Sequence, residues 1–259
     1  MKIHVCCPSY RRPECKILDY LPSTIIFIDA HDKGAYEKIH PSADFWVLPD
    51  GIQGNIPRVK NWILDIYPKD AVCFLDDDLT RIGYIEQWKY NYILTEDHFK
   101  VFLEKFTLMA EDLETVLWGI APTSDMQSYR EMRPFTPVNF IGGPFQCHVN
   151  TDIRYDERFN LKNDYDFYLQ VVHKYRKVLR VEKYFYQNQQ GLSGTGQPGG
   201  LASVRTIAEE EKEFALLQQK WGKDIVRRDT LSSSRNHRTK KKRVWDGNPI
   251  IKVPIRSNS

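Results

Sequence analysis

The sequence predicts an α/β domain, a mostly parallel sheet flanked by helices, followed by a C-terminal helix and a basic tail. Three features predict it. Short apolar runs alternate with helix-period segments through the first half, as expected of parallel strands joined by crossover helices. The chain has 259 residues, 41% hydrophobic and 27% charged, enough for a full core in one large domain with an appendage. Its strongest strand pattern, residues 71–75, stops at three carboxylates in a row, Asp76, Asp77 and Asp78.

The strand patterns fall at residues 3–6, 24–28, 45–48, 71–75 and 117–121. Before the fourth, Asn55 caps a helix opened by Pro57, with Val59, Trp62, Ile63 and Ile66 at i, i+3, i+4 and i+7. Arg58, Asn61 and Asp65 share its opposite face. A second helix runs from a Thr95 cap through a core face of Phe99, Phe102, Leu103, Phe106, Leu113 and Val116. Beyond Pro122 the pattern is irregular, and Pro134 and Pro137 flank a loop where an acceptor pocket could form before the strand pattern at 145–149. Asn163-Asp164-Tyr165-Asp166 opens a further helix, its acids at the positive end of the macrodipole. Past a strand pattern at 178–181, residues 191–200 are too glycine-rich to hold one conformation unaided, which suits a lid over a ligand or a linker. A last helix from Ser203 carries Ile207, Phe214, Leu217 and Trp221 and ends near Gly222. The expected organisation is a domain over 1–200, a helix packed on it over 201–226, and a basic tail over 227–259.

Alternate side chains of an extended segment point the same way, so Asp76 and Asp78 are expected to converge while Asp77 points elsewhere. Two such carboxylates repel unless a cation neutralises them, and oxygen ligands suit Mg²⁺ or Mn²⁺, which complete their shells with water and phosphate. A phosphorylated ligand follows. The plain alternative is an acidic turn capping the next element. No apolar run approaches the roughly 20 residues of a membrane span, and the N-terminus enters a strand pattern directly, so no membrane partner and a cytoplasmic location are expected. The five cysteines are odd in number and lack zinc spacing, which reads as reduced core thiols.

Charge is uneven. From Arg227 onward ten Lys/Arg stand against Asp229 and Asp246, a local +8 within a total of +3, so the body carries −5. A basic tail with Lys240, Lys241, Lys242 and Arg243 suits a polyanionic partner, with Trp245 available to stack on a base, or else is a solvated terminus.

Four segments in order, Val5-Cys6-Cys7-Pro8-Ser9-Tyr10-Arg11-Arg12-Pro13, Ile26-Phe27-Ile28-Asp29, residues 51–61 with Arg58 and Asn61, and Val72 to Asp78, resemble the nucleotide-binding half of GT-A glycosyltransferases. Residues 155–190 resemble the acceptor half. More narrowly, the chain resembles bacteriophage TET-associated glycosyltransferases, proposed to add sugars to hydroxymethylated pyrimidines in DNA. The resemblance implies a GT-A-like fold and a hexosyltransferase that moves a sugar, glucose by preference, from a UDP-sugar to 5-hydroxymethylcytosine in DNA; inversion is expected because Asp164 offers a base and no nucleophile for a covalent route is evident. It places Pro8, Ser9, Asp29, Arg58, Asn61, Asp76 and Asp77 on the donor, and Mn²⁺ or Mg²⁺ on Asp76 and Asp78. The Glu-Asp motif of the family stands here as Asn163-Asp164, leaving Asp164 as general base with Asp166 in reserve. A further metal ligand, often His in such enzymes, is missing from residues 186–190 and is not assigned. Asp76-x-Asp78-x-Thr80 also fits the nucleophile motif of haloacid-dehalogenase-type phosphatases. That motif belongs on a first strand, whereas several strand units precede it here. Transfer to a protein or small-molecule hydroxyl is the other alternative.

Overall fold

The computed structural model describes residues 1–126, 129–189, 199–203, 205–228 and 247–253, in two units, Met1–Val204 and Arg205–Ser259. The first half of the large unit is built as the alternation predicts. Strands β1 (Ile3–Pro8), β2 (Ile25–Ile28), β3 (Phe45–Val47) and β4 (Ala71–Leu75) lie parallel in the order β3-β2-β1-β4. Helices α1 (Ile17–Tyr20), α2 (Lys33–Ile39) and α3 (Ile56–Ile66) make the crossovers. All five residues of β4 are buried, which is why it reads as a continuous apolar run. The α3 cap forms as expected, with the Asn55 side-chain oxygen accepting from the Arg58 backbone N–H at 3.0 Å and Pro57 in the first turn.

On its other side β4 meets antiparallel neighbours. Strands β5 (Leu79–Glu86), β6 (Lys89–Tyr92), β7 (Leu117–Ala121), β8 (Phe135–Thr136), β9 (Phe145–Val149) and β10 (Leu179–Asn188) complete a ten-stranded sheet, β4-β9-β7-β10-β5-β6, with β8 on β10. The sheet is therefore mixed, and its parallel character is concentrated in β3-β2-β1-β4 and the β7–β10 pair. The β5–β6 hairpin has no counterpart in the sequence reading. Its turn places Gln87 and Trp88 at φ 51° and 58°, positions that usually announce themselves as Asn or Gly. Gly83 of β5 is required for space, because a Cβ there would lie 2.3 Å from the Phe185 ring.

Helix α4 (Glu96–Asp112), capped by Thr95, lays Phe99, Phe102 and Phe106 against Trp118 and Phe145. Each such side chain contributes roughly 1.5–3 kcal/mol by leaving water. Helix α5 (Asn163–Tyr175) starts where the acids predicted. The five cysteines are buried free thiols, and Cys73 of β4 stands directly opposite Cys147 of β9.

Ser203, expected to open the last helix, ends a short 3₁₀ turn in the first unit; in the second unit α6 (Ile207–Trp221) is capped by Thr206 and ends at Gly222, φ 90°. Part of the stretch expected as tail is ordered: β11 (Val226–Arg228) pairs antiparallel with β12 (Pro249–Ile251). Lys240 to Arg243 and Trp245 lie outside the described residues, as do 190–198 of the glycine-rich segment. Among the described residues no helix is long and apolar enough to cross a membrane.

Candidate functional site

The chain leaves β1 toward β2 on one side, while β4 flanks β1 on the other, so the carboxyl ends of β1 and β4 form a topological switch point, where open α/β sheets bind ligands. Pro8 closes β1, Ser9 follows it, and the three aspartates follow β4. The Asp77 carboxylate turns back onto the β1 loop. The Ser9 hydroxyl donates to its Oδ2 at 2.6 Å, and Arg12 Nη1 donates to its Oδ1 at 3.1 Å. Tyr36 of α2 joins Ser9 at 2.8 Å and accepts from the Arg12 backbone N–H at 3.0 Å. Both Asp77 oxygens thus have protein partners. Burial nevertheless raises its carboxyl, with Arg12 and Ser9 opposing.

Asp76 and Asp78 are less well compensated. Asp78 is only 5% exposed, its Oδ1 has no hydrogen-bond partner, and its Oδ2 lies 4.0 Å from Arg12. Burial, and then the charges of Asp76 and Asp77, push its carboxyl up to about 7. Burial raises the half-buried Asp76 to about 6; Lys60 opposes, and Asp77 and Asp164 add to the rise.

Asp164 joins this cluster from the first turn of α5. Its Oδ2 accepts from the Gly143 N–H at 3.1 Å and its Oδ1 from the Tyr165 N–H at 2.9 Å. Burial raises its carboxyl, with Lys60 opposing. Lys60 of α3 is the cation serving both acids. Its ammonium is buried, 5.0 Å from the Tyr155 ring centroid and 5.5 Å from that of Phe74, with Asn163 Oδ1 at 3.5 Å. Desolvation lowers its pKa while Asp76 and Asp164 hold it up. Lys60 is not among the site residues the sequence predicts. Its signal was a lysine set among the apolar positions of α3, beside Val59 and four residues before Leu64. Asp166, the reserve base, is 1% exposed and accepts from Gln170 Nε2 at 2.8 Å within its own helix.

Other expected donor residues have different partners. Arg58 was expected to reach a diphosphate or orient Asp76. Instead its Nε donates to Glu157 at 2.9 Å and its Nη1 to the Gly51 carbonyl at 2.9 Å, because the first turn of α3 aims it at the 151–160 segment. Lys60 takes the place beside Asp76. Asn61 clamps that same segment, exchanging two hydrogen bonds with the Tyr155 backbone at 2.7 and 2.9 Å. Asp29 lies just past β2 and accepts from the His31 backbone N–H at 2.9 Å, with the His31 ring at 2.8 Å; these bonds hold its carboxyl below the usual range. The phosphatase alternative needs Thr80 in the site, but the Thr80 hydroxyl donates to the Gln187 carbonyl at 3.0 Å in the β5–β10 ladder.

Among the described residues no three His, Cys, Asp or Glu side chains converge as a metal site. The residues still fit a hard divalent cation that takes most of its shell from water and phosphate. The unpartnered, buried Asp78 Oδ1 needs a positive partner, and Asp76 and Asp78 resist ionising beside one another without one.

A mixed sheet with an acid-ended central strand at its switch point is the architecture of the GT-A glycosyltransferases, and the chain has that fold. No protein-family model matches the sequence, and no curated protein matches it. Solved structures do. Two of glucosyl-3-phosphoglycerate synthase from Mycobacterium tuberculosis, one with Mn²⁺, UDP and glucosyl-3-phosphoglycerate and one with Mn²⁺, UDP-glucose and phosphoglyceric acid, each superpose at a TM-score of 0.52. They are 11% and 12% identical, cover 85% and 90% of this chain, and are themselves covered over 80% and 85%. TarS 1-349 from S. aureus matches at 14% identity and TM-score 0.46 over 72% of this chain, which spans 59% of that structure.

Proposed function

We propose that the chain is a divalent-cation-dependent glycosyltransferase that moves a hexose, glucose by preference, from a UDP-sugar to a hydroxyl acceptor. The observation that carries this reading is the carboxylate cluster at the β1/β4 switch point, with the unpartnered oxygen of Asp78 on one side and Asp164 on the other. The synthase structures that share the fold hold Mn²⁺ with UDP or UDP-glucose. Asp76 and Asp78 would hold the cation, which neutralises charge on the departing diphosphate. Asp164, oriented by the Gly143 and Tyr165 amides, takes the acceptor proton. The acceptor oxygen then bonds to the anomeric carbon as the bond to the UDP oxygen breaks, inverting the centre, and UDP leaves. Lys60 opposes the rise that burial imposes on Asp164 and Asp76 and so favours their ionised forms.

The proposed acceptor is 5-hydroxymethylcytosine in DNA, supported by the phage-family resemblance and the +8 segment from Arg227 onward. A base within a duplex must be met through the major groove or extruded at a cost of a few kcal/mol. Calorimetry with UDP, with and without Mn²⁺, on wild type and Asp78→Ala tests the donor site, and equal binding in all four removes the cation bridge. Mass spectrometry of hydroxymethylated DNA incubated with UDP-glucose tests the acceptor. Sugar found on a protein or polyol and never on DNA would leave only the donor chemistry standing.

A further inference from the structure

Five buried side-chain polar atoms among the described residues have no hydrogen-bond partner, and two of them belong to adjoining segments of the site. One is Asp78 Oδ1. The other is Asn188 Oδ1, at the end of β10. Past Gln187 the β10–β5 ladder slips: Gln187 faces Arg81 but Asn188 faces Leu79, leaving Thr80 as the extra residue. The Thr80 hydroxyl closes that bulge on the Gln187 carbonyl at 3.0 Å. Asn188 is thereby brought beside the aspartate turn, and the next residue fixes it there, the Gln189 N–H donating to the Asp78 carbonyl at 2.8 Å.

Both unpartnered atoms are acceptors. While Asp78 is ionised two such oxygens cannot satisfy each other, and each needs a donor or a cation. Among the described residues His, Cys, Asp and Glu alone make no three-residue metal group, but amide oxygens are also ordinary ligands of hard cations. We infer that Asn188 Oδ1 is a third protein ligand of the divalent cation held by Asp76 and Asp78. The inference rests on the metal-dependent donor site proposed above. It makes the protein's ligand set all oxygen, so Mg²⁺ and Mn²⁺ should both serve, with no nitrogen to bias the site toward softer metals.

The test is Mn²⁺ binding by the full chain in the presence of UDP, followed by electron paramagnetic resonance. Wild type, Asp78→Asn, Asn188→Ala and Asn188→His are compared, with thermal unfolding to show that each is folded. Asn188→Ala should weaken Mn²⁺ binding by tenfold or more, on the scale of losing a partner at a metal site. Asn188→His should show directly coordinated nitrogen in electron spin-echo modulation, a signature absent from wild type, and should favour Mn²⁺ over Mg²⁺. If wild type with UDP holds no Mn²⁺, the donor-site reading falls and this inference with it. If wild type binds and Asp78→Asn does not, while Asn188→Ala binds as wild type and Asn188→His shows no nitrogen coupling, the inference alone is overturned and the unpartnered amide oxygen meets only water.

Discussion

Replacing Asp78 by Asn should make the cation-free protein more stable at neutral to basic pH while abolishing cation binding. In the folded chain the Asp78 carboxyl ionises at about 7 against an ordinary 3.8, and Asp76 at about 6, burial being the main cause in both. Folded values above unfolded ones mean that the native state holds these protons more tightly. Stability from this source is complete below the ordinary value of 3.8 and is lost progressively as pH rises from there to the folded values of about 6 and about 7. The gap for Asp78 corresponds to roughly 4 kcal/mol at ~1.4 kcal/mol per tenfold, an upper figure because the neighbouring acid shares the repulsion. Asn keeps the shape and removes the charge, so Asp78→Asn should gain ~2–4 kcal/mol at about pH 8 and almost nothing at about pH 3. Urea unfolding in EDTA at the two pH values measures this. In wild type, Mn²⁺ with UDP should restore the stability lost at the higher pH. A variant no more stable than wild type at about pH 8, or one with the same gain at both pH values, would refute the reasoning.

Arg12→Met leaves Asp77 buried without its 3.1 Å partner and should cost ~3–5 kcal/mol in urea unfolding, with Arg12→Met combined with Asp77→Asn recovering much of it. Lys60→Met removes the cation that opposes the rise of Asp76 and Asp164, so the acidic limb of kcat/KM against pH should move upward, and an unmoved limb would remove this role from Lys60. Asp164→Asn should lower transfer by ~10²–10⁴-fold with UDP affinity retained, and preserved turnover would move the base role to Asp166 or dismiss it. Changing Lys240, Lys241, Lys242 and Arg243 to Gln should flatten the slope of log affinity for duplex DNA against log salt by up to about 3.6; an unchanged slope would make this segment a solvated stretch.

The parallel half of the sheet and the turn that bears the aspartates were legible because both depend on local pattern. β4 is five apolar residues buried on both faces and stopped by charge, and Asn55 and Thr95 announce their helices by cap chemistry. The β5–β6 hairpin was not legible, since Gln87 and Trp88 take up left-handed backbone that the sequence marks with neither Gly nor Asn. That Lys60 and not Arg58 serves Asp76 has a different reason. An arginine on a polar helix face is a natural phosphate binder, but which of two nearby cations turns inward depends on what α3 packs against, here the 151–160 segment on one side and Phe74 with Tyr155 on the other. Asn188 depends on a bulge in a strand pairing between segments a hundred residues apart, which no local pattern encodes.

The buried cysteines provide an internal reporter. Cys6 and Cys7 sit on β1, Cys73 on β4 and Cys147 on β9, while Cys15 follows the β1 loop, so the strands that support the aspartates each carry a thiol closed to solvent. A thiol in that state reacts with a soluble disulfide reagent only while its surroundings are open, and its labelling rate is the intrinsic rate multiplied by the open fraction. The unmodified chain therefore reports the opening free energy of the strands beneath its own site. No dye or engineered label is needed, and a ligand that binds only the closed form announces itself by slowing the labelling in proportion to its occupancy.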